Sequence, residues 1–197
     1  MPPTLIEPCT PRLLLRRWRR EDLQPLARMH ADPEVMRFLP GPLGAAESEA
    51  FAAACQEFLG RHGWGTWALE LRQSGEFVGL AGLAETPRGF HFAPGVEIRW
   101  RLGRAFWGGG LATEGAREAL RVGFEQIGLA RIHAFTALCN TRSQALMRRL
   151  GMRRVEEFEH PRLAADHPLR PHVLYVAEAP AADRAAADRV AADRAAD

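Results

Sequence analysis

The residues best placed to do chemistry in this chain gather in one stretch, Arg101 to Glu125. There an alternating run meets Gly108, Gly109 and Gly110 and then turns to helical spacing. Three glycines leave a strand-to-helix turn with bare backbone N–H groups. The helix that starts near Leu111 points its positive end at the same place. Such a turn binds phosphate or pyrophosphate. Two common phosphate turns do not fit. A P-loop closes its glycines with Lys and Ser or Thr, where this chain has Leu111 and Ala112. A dinucleotide fingerprint beginning at Gly108 needs a third glycine where Thr113 stands, and an acidic residue at a strand end about 20 residues on. Glu125 lies near that distance, but inside the helix.

The octapeptide WGGGLATE, Trp107 to Glu114, resembles a third type, the coenzyme A turn of the GNAT superfamily of N-acetyltransferases. That pattern reads Gln/Arg-x-x-Gly-x-Gly/Ala; Gly110 and Ala112 fill its last two positions, and Trp107 stands where Gln or Arg is usual. The departure is similar to the ribosomal-protein-alanine acetyltransferase (RimJ/RimL-like) branch, in which Trp-Gly-x-Gly-x-Ala-Thr-Glu is common. The likeness is best from Val96 to Met152, and the order of elements extends it over residues 12 to 177. It implies an α/β (α+β) fold with a mixed, mostly antiparallel sheet flanked by helices, and a splayed strand pair that holds acetyl-coenzyme A. No metal is implied.

The resemblance also implies acetyl transfer to an amine in a ternary complex. Trp107, Gly108, Gly109, Gly110, Leu111, Ala112 and Thr113 would hold the pyrophosphate, and the strand residues Ile98, Trp100 and Leu102 would pair with the pantetheine arm. Attack needs a neutral amine, so a base must take a proton from the ammonium. Glu97 matches a carboxylate base of the superfamily; the plainer reading is a strand glutamate paired with an arginine. His160 and Glu159 are second candidates, for base or substrate contact. Many relatives place a general-acid tyrosine where this chain has Met147, and its one tyrosine is Tyr175. In the ribosomal-protein type, a serine at the Ser143 position serves near the thiolate, so Ser143 takes that role and also lies at the cofactor. Asn140 would contact the pantetheine, cap its helix, or both. His30 and Phe38 are candidate substrate contacts, with a core or surface role as the alternative. Phe90 and Phe92, large apolar residues in a loop, either fold back on the core or form a lid.

Periodicity supplies the elements around these residues. Arg12–Trp18 reads as a strand, and Arg20–His30 as a helix with Leu23, Leu26 and Ala27 on one face. Pro33 opens a short helix after Asp32. A longer helix runs over 45–61 with an apolar stripe of Ala46, Ala50, Phe51, Ala54, Phe58 and Leu59. Strands follow over 64–71, 77–83 and 96–102; in the last, Val96, Ile98, Trp100 and Leu102 share one face and Glu97, Arg99 and Arg101 the other. The helix after the glycine turn runs to about Ile127, with Glu114, Arg117, Glu118, Arg121 and Glu125 on a wet face that needs no functional reading. A strand over 130–138 alternates Ile132, Ala134, Thr136 and Leu138. A helix capped by Asn140 then stops at Gly151, and strands over 153–158 and 172–177 end the body.

Composition sets the outer limits. Of 197 residues, 47% are hydrophobic and 25% charged, so residues 1–179 read as one globular domain. Residues 180–197 repeat Asp-Arg every five residues and read as a low-complexity tail with almost nothing to bury. A net charge of +2 gives no case for nucleic acid. Cys9, Cys55 and Cys139 suggest neither a disulfide framework nor a metal site. No apolar run reaches membrane-spanning length and no signal-peptide core is visible, so a cytoplasmic protein is expected. Its partner would be a protein N-terminus or a small-molecule amine, and a homodimer is allowed for because relatives include dimers. A detoxifying acetyltransferase and a catalytically idle acyl-coenzyme A-binding module remain as alternatives.

Overall fold

The computed structural model describes residues 3–180. The tail expected over 180–197 lies, from Ala181 on, outside the described residues. In chain order the elements are β1 (Leu13–Arg16), α1 (Leu23–Ala31), α2 (Pro33–Met36), α3 (Ala45–His62), β2 (Thr66–Leu71), β3 (Phe77–Glu85) and β4 (Val96–Leu102). They continue with α4 (Leu111–Arg121), β5 (Arg131–Ala137), α5 (Thr141–Arg149), β6 (Arg153–Glu159) and β7 (Pro171–Glu178). The strands lie in the order β1-β2-β3-β4-β5-β7-β6. β1–β2, β2–β3, β5–β7 and β6–β7 pair antiparallel. β4 meets β5 in parallel at one register pair, Glu97 with His133. This is the mixed, mostly antiparallel sheet with a splayed strand pair that the resemblance implies.

Contacts divide the described residues into two compact units, one running to Ala84 and including Arg99–Glu118, the other made of Glu85–Ile98 and the residues from Ala119 on. In the first, Leu13, Leu15, Leu26, Leu59, Trp67, Leu69 and Leu80 form an apolar core. β2 and β3 approach so closely at Thr66 and Gly82 that a Cβ on Gly82 would stand 2.1 Å from the Gly65 carbonyl oxygen. The α3 stripe differs from the expected one. Ser48, Ala52, Cys55 and Leu59 are buried, with Phe51 half-buried, while Ala46, Ala50 and Ala54 are exposed. Alanines occupy every side of this helix, so composition left its rotation open. On the buried face, Ser48 is hydrogen-bonded to His30 of α1 at 3.0 Å.

Charge inside this unit is neutralised where β1 leaves the sheet. The buried Arg16 guanidinium donates to both Asp22 oxygens, 2.7 Å each, and through Nε to Glu70 at 2.6 Å. A buried cation needs partners of this kind. In the second unit, Ile132, Ala134, Met147, Val173 and Tyr175 are buried between β5, β7 and α5. The helix after the glycine turn is longer than its α-helical part: Val122–Gln126 winds as a π-helical turn before Ile127.

Candidate functional site

The glycine turn is shaped by the strand before it. β4 ends in a short 3-10 turn at Arg104–Phe106, and the Trp107 indole N–H donates back to the Leu102 carbonyl at 2.8 Å. Gly108 and Gly110 then take φ of 83° and 78°, which side-chain-bearing residues rarely adopt. A Cβ on Gly108 or Gly109 would meet nothing within 4 Å, so the turn has an open side. Among the described residues, the backbone N–H groups from Gly108 to Thr113 make no hydrogen bond to backbone carbonyls. They stand at the positive end of α4, with Leu111 buried as its anchor. Six uncommitted donors on an open turn fit a pyrophosphate.

A clasp from the chain's beginning holds this turn. Arg12 Nη1 donates to the Gly109 carbonyl at 2.7 Å, while Arg12 Nε and Nη2 reach Glu114 at 2.6 and 2.5 Å. The Thr10 hydroxyl and the Arg12 backbone N–H also donate to Glu114, at 2.6 and 2.9 Å. Burial works to raise the Glu114 carboxyl; the bonds from Thr10 and Arg12 outweigh it and hold that group below its ordinary range. Glu114 is thus not one more charge on a wet face, as its helical spacing suggested. A trans peptide points its C=O and the next N–H in opposite directions. By fixing the Gly109 carbonyl, Arg12 therefore fixes the Gly110 N–H on the other side. Arg12 also offsets a carboxylate that would otherwise repel an anion at this helix end. Arg12→Ala is expected to weaken binding of a pyrophosphate-bearing ligand at this turn about tenfold, the scale of one charge-assisted hydrogen bond. Calorimetric titration with such a ligand checks it; an unchanged Kd would remove Arg12 from this role.

In the second unit, Glu97 and His133 are abreast across β4 and β5 and therefore share a face. Both are 8% exposed. The His133 ring lies 5.2 Å from that of Phe92, and its Nδ1 has no hydrogen-bond partner among the described residues. Burial, then the Arg131 charge, lowers its pKa and keeps the ring neutral. Sequence reading missed His133 because it followed the opposite phase of this strand, Ile132, Ala134 and Thr136. The signal available was a histidine in the other phase, but only the β4–β5 register sets it beside Glu97.

Asn140 is fully engaged at the start of α5. Its Oδ1 accepts from the Ser143 N–H at 3.2 Å, and its Nδ2 donates to Thr136 Oγ1 at 2.9 Å and to Ser143 Oγ at 3.0 Å. Because Ser143 Oγ receives that hydrogen, its own proton remains available to donate elsewhere.

The sequence profile described as acetyltransferase (GNAT) domain matches residues 12–153. The chain belongs to the GNAT acetyltransferases. FsC-acetyl coenzyme A-N(2)-transacetylase of Aspergillus fumigatus is 35% identical over 157 residues, 71% of this chain and 65% of that protein. The chain thus matches just under two thirds of that relative's length. The fold is similar to an acetyltransferase (GNAT family) of Bacillus anthracis, with TM-score 0.74, 23% identity and coverage of 88% of this chain and 98% of that one. It is also similar to RimL, a ribosomal α-N-protein acetyltransferase solved in complex with coenzyme A. There the TM-score is 0.70 at 17% identity, covering 91% and 99% of the two chains.

GNAT acetyltransferases use acetyl-coenzyme A, and the turn described above lies inside the matched span. The remaining expected site residues fall in several surroundings. Met147, at the position where many GNAT members have tyrosine, is buried. Tyr175 is buried too, and its hydroxyl lies 3.5 Å from Gln144 and 3.4 Å from Arg148 on α5. Phe90 folds back: it is 5% exposed and packs on Phe135, Phe158 and His160. Phe92 is half-buried against Phe135 and Phe158. His160 accepts from the Arg162 N–H, and burial, the His172 ring and Arg162 push its pKa down to about 4. Glu159 is exposed and paired with Arg170 at 2.8 Å. Phe38 is half-buried beside the Arg37 guanidinium. His30 has no exposed surface and uses both ring nitrogens inside the protein.

Proposed function

We propose that this chain is an N-acetyltransferase that uses acetyl-coenzyme A and a primary amine. The observation that carries the reading is the open glycine turn with its uncommitted N–H groups, clasped by Arg12. When bound, acetyl-coenzyme A supplies an activated acetyl thioester. Trp107 to Thr113 would hold its pyrophosphate, and the backbone of Ile98, Trp100 and Leu102 its pantetheine arm. Glu97 takes the proton of the acceptor's ammonium, directly or through water, and so frees the amine lone pair. Ser143, oriented by Asn140, keeps its hydroxyl hydrogen for the sulfur that leaves. The acceptor is a small-molecule amine or a protein N-terminus.

A thermal-shift titration with acetyl-coenzyme A, coenzyme A, NAD and ATP tests the ligand. A ligand at 100 times its Kd adds about 2.7 kcal/mol of stability. At roughly 2–4 °C per kcal/mol for a chain of this size, that is a shift of several degrees. The two coenzyme A forms are expected to give it, and NAD and ATP are not. A shift with NAD or ATP instead would overturn the reading. An amine screen that detects released thiol then tests the activity.

A further inference from the structure

Arg101, on β4, differs from the buried Arg16 of the same unit, which is neutralised by Asp22 and Glu70. The half-buried Arg101 meets no carboxylate among the described residues. Its Nη1 donates to His30 Nε2 at 2.7 Å, and its Cζ lies 5.8 Å from the centre of the Phe51 ring.

The His30 contact orients this cation without neutralising it. Ser48 Oγ donates to the Gly44 carbonyl at 2.9 Å, and a carbonyl can only accept. The serine's one proton is therefore committed there, so His30 Nδ1, 3.0 Å away, must be the donor to Ser48. That leaves a lone pair on Nε2 for Arg101. The chain of bonds runs one way, from Arg101 through His30 and Ser48 to Gly44, and it requires a neutral ring. Burial, then the Arg101 charge, push the His30 pKa down to about 4, in agreement. Burial, then Arg99, lower Arg101 itself to about 10, with Cys55 opposing. It therefore remains a cation at neutral pH, held in place by His30 and the Phe51 face with its charge uncompensated. Charges taken from water are ordinarily paired, and one left unpaired but rigidly held is a place for a ligand of opposite sign.

We propose that Arg101 is a specificity-determining residue that receives a carboxylate of the acceptor, so that the substrates are amines which also carry a carboxylate. A planar guanidinium suits a carboxylate by paired N–H bonds better than it suits a neutral amide. Arg101 comes four positions after Glu97 in the sequence of β4. The proposal rests on the amine-acetylation reading above.

The test is an acceptor panel of matched pairs, amino acids against their amides, with thiol release as the readout. The wild type is expected to favour the carboxylates by about tenfold in kcat/KM, the scale of one charge-assisted contact. Arg101→Gln should erase that ratio, and Arg101→Lys, which keeps the charge but not the fork, should retain part of it. Equal use of both series by the wild type, or a ratio unchanged in Arg101→Gln, overturns the proposal while leaving the acetyltransferase reading intact. If Arg101→Gln fails to fold, the wild-type panel and Arg101→Lys decide. If the wild type is stabilised by acetyl-coenzyme A but acetylates no amine in either series, the activity reading falls and this proposal with it.

Discussion

Glu97→Gln is expected to lower kcat/KM for an amine acceptor by about 10²–10⁴-fold, the usual contribution of a positioned base. The melting shift given by acetyl-coenzyme A should stay. The substitution keeps the shape of the side chain and removes its capacity to take a proton. An acceptor amine is almost wholly ammonium at neutral pH, so without a base only the small neutral fraction can attack. Glu97 is buried and stands beside His133, a ring kept neutral by its surroundings. Kinetics with saturating donor, run beside the thermal-shift titration, separate chemistry from binding. A loss of less than about tenfold would move the base elsewhere. The neutral imidazoles of His133 and His160 would be the next to test.

Gly82→Ala is expected to be severely damaging for the addition of a single methyl group. The added Cβ would stand 2.1 Å from the Gly65 oxygen and 2.7 Å from the Thr66 Cα, backbone atoms at the start of the neighbouring strand. Neither can rotate away as a side chain could, so β2 and β3 must separate or slip. The φ of 155° adds strain for a residue with a Cβ. A cost of about 4 kcal/mol or more is expected, at the extreme of single substitutions and a large part of a domain's 5–15 kcal/mol. Gly60→Ala provides the contrast. Gly60 lies in α3 with open space around its Cβ position, so alanine there should gain roughly 0.5–1 kcal/mol. Urea midpoints of the two variants check both signs. A Gly82→Ala loss near that of an ordinary surface change would mean that the strands yield.

Local chemistry was legible in the sequence. The glycine turn, the alternation of β4, the Asn140 cap and the stop at Gly151, whose φ is 77°, each depend on neighbours a few residues away. What remained hidden depends on distant parts of the chain. Glu114 looked like a solvated helix charge because its partners, Thr10 and Arg12, lie about a hundred residues earlier. His133 looked like the outward phase of a strand until the β4–β5 register placed it beside Glu97. His30 was open to a substrate or a core role, and Ser48 and Arg101, 18 and 71 positions away, decide its surroundings. The rotation of α3 was ambiguous for a different reason: alanine carries too little hydrophobic contrast to mark a face.

The order of the last strands limits where this chain can be cut. The family's sequence profile matches only to residue 153, yet β7, at Pro171–Glu178, lies between β5 and β6 and pairs with β5 along its whole length. A chain trimmed to the recognised span would lose that neighbour, and β5 would become a bare edge with its N–H and C=O groups open to other copies. At the other end the same trimming would remove Thr10 and its bond to Glu114. The segment matched by the sequence profile is thus shorter than the segment that can close its own sheet.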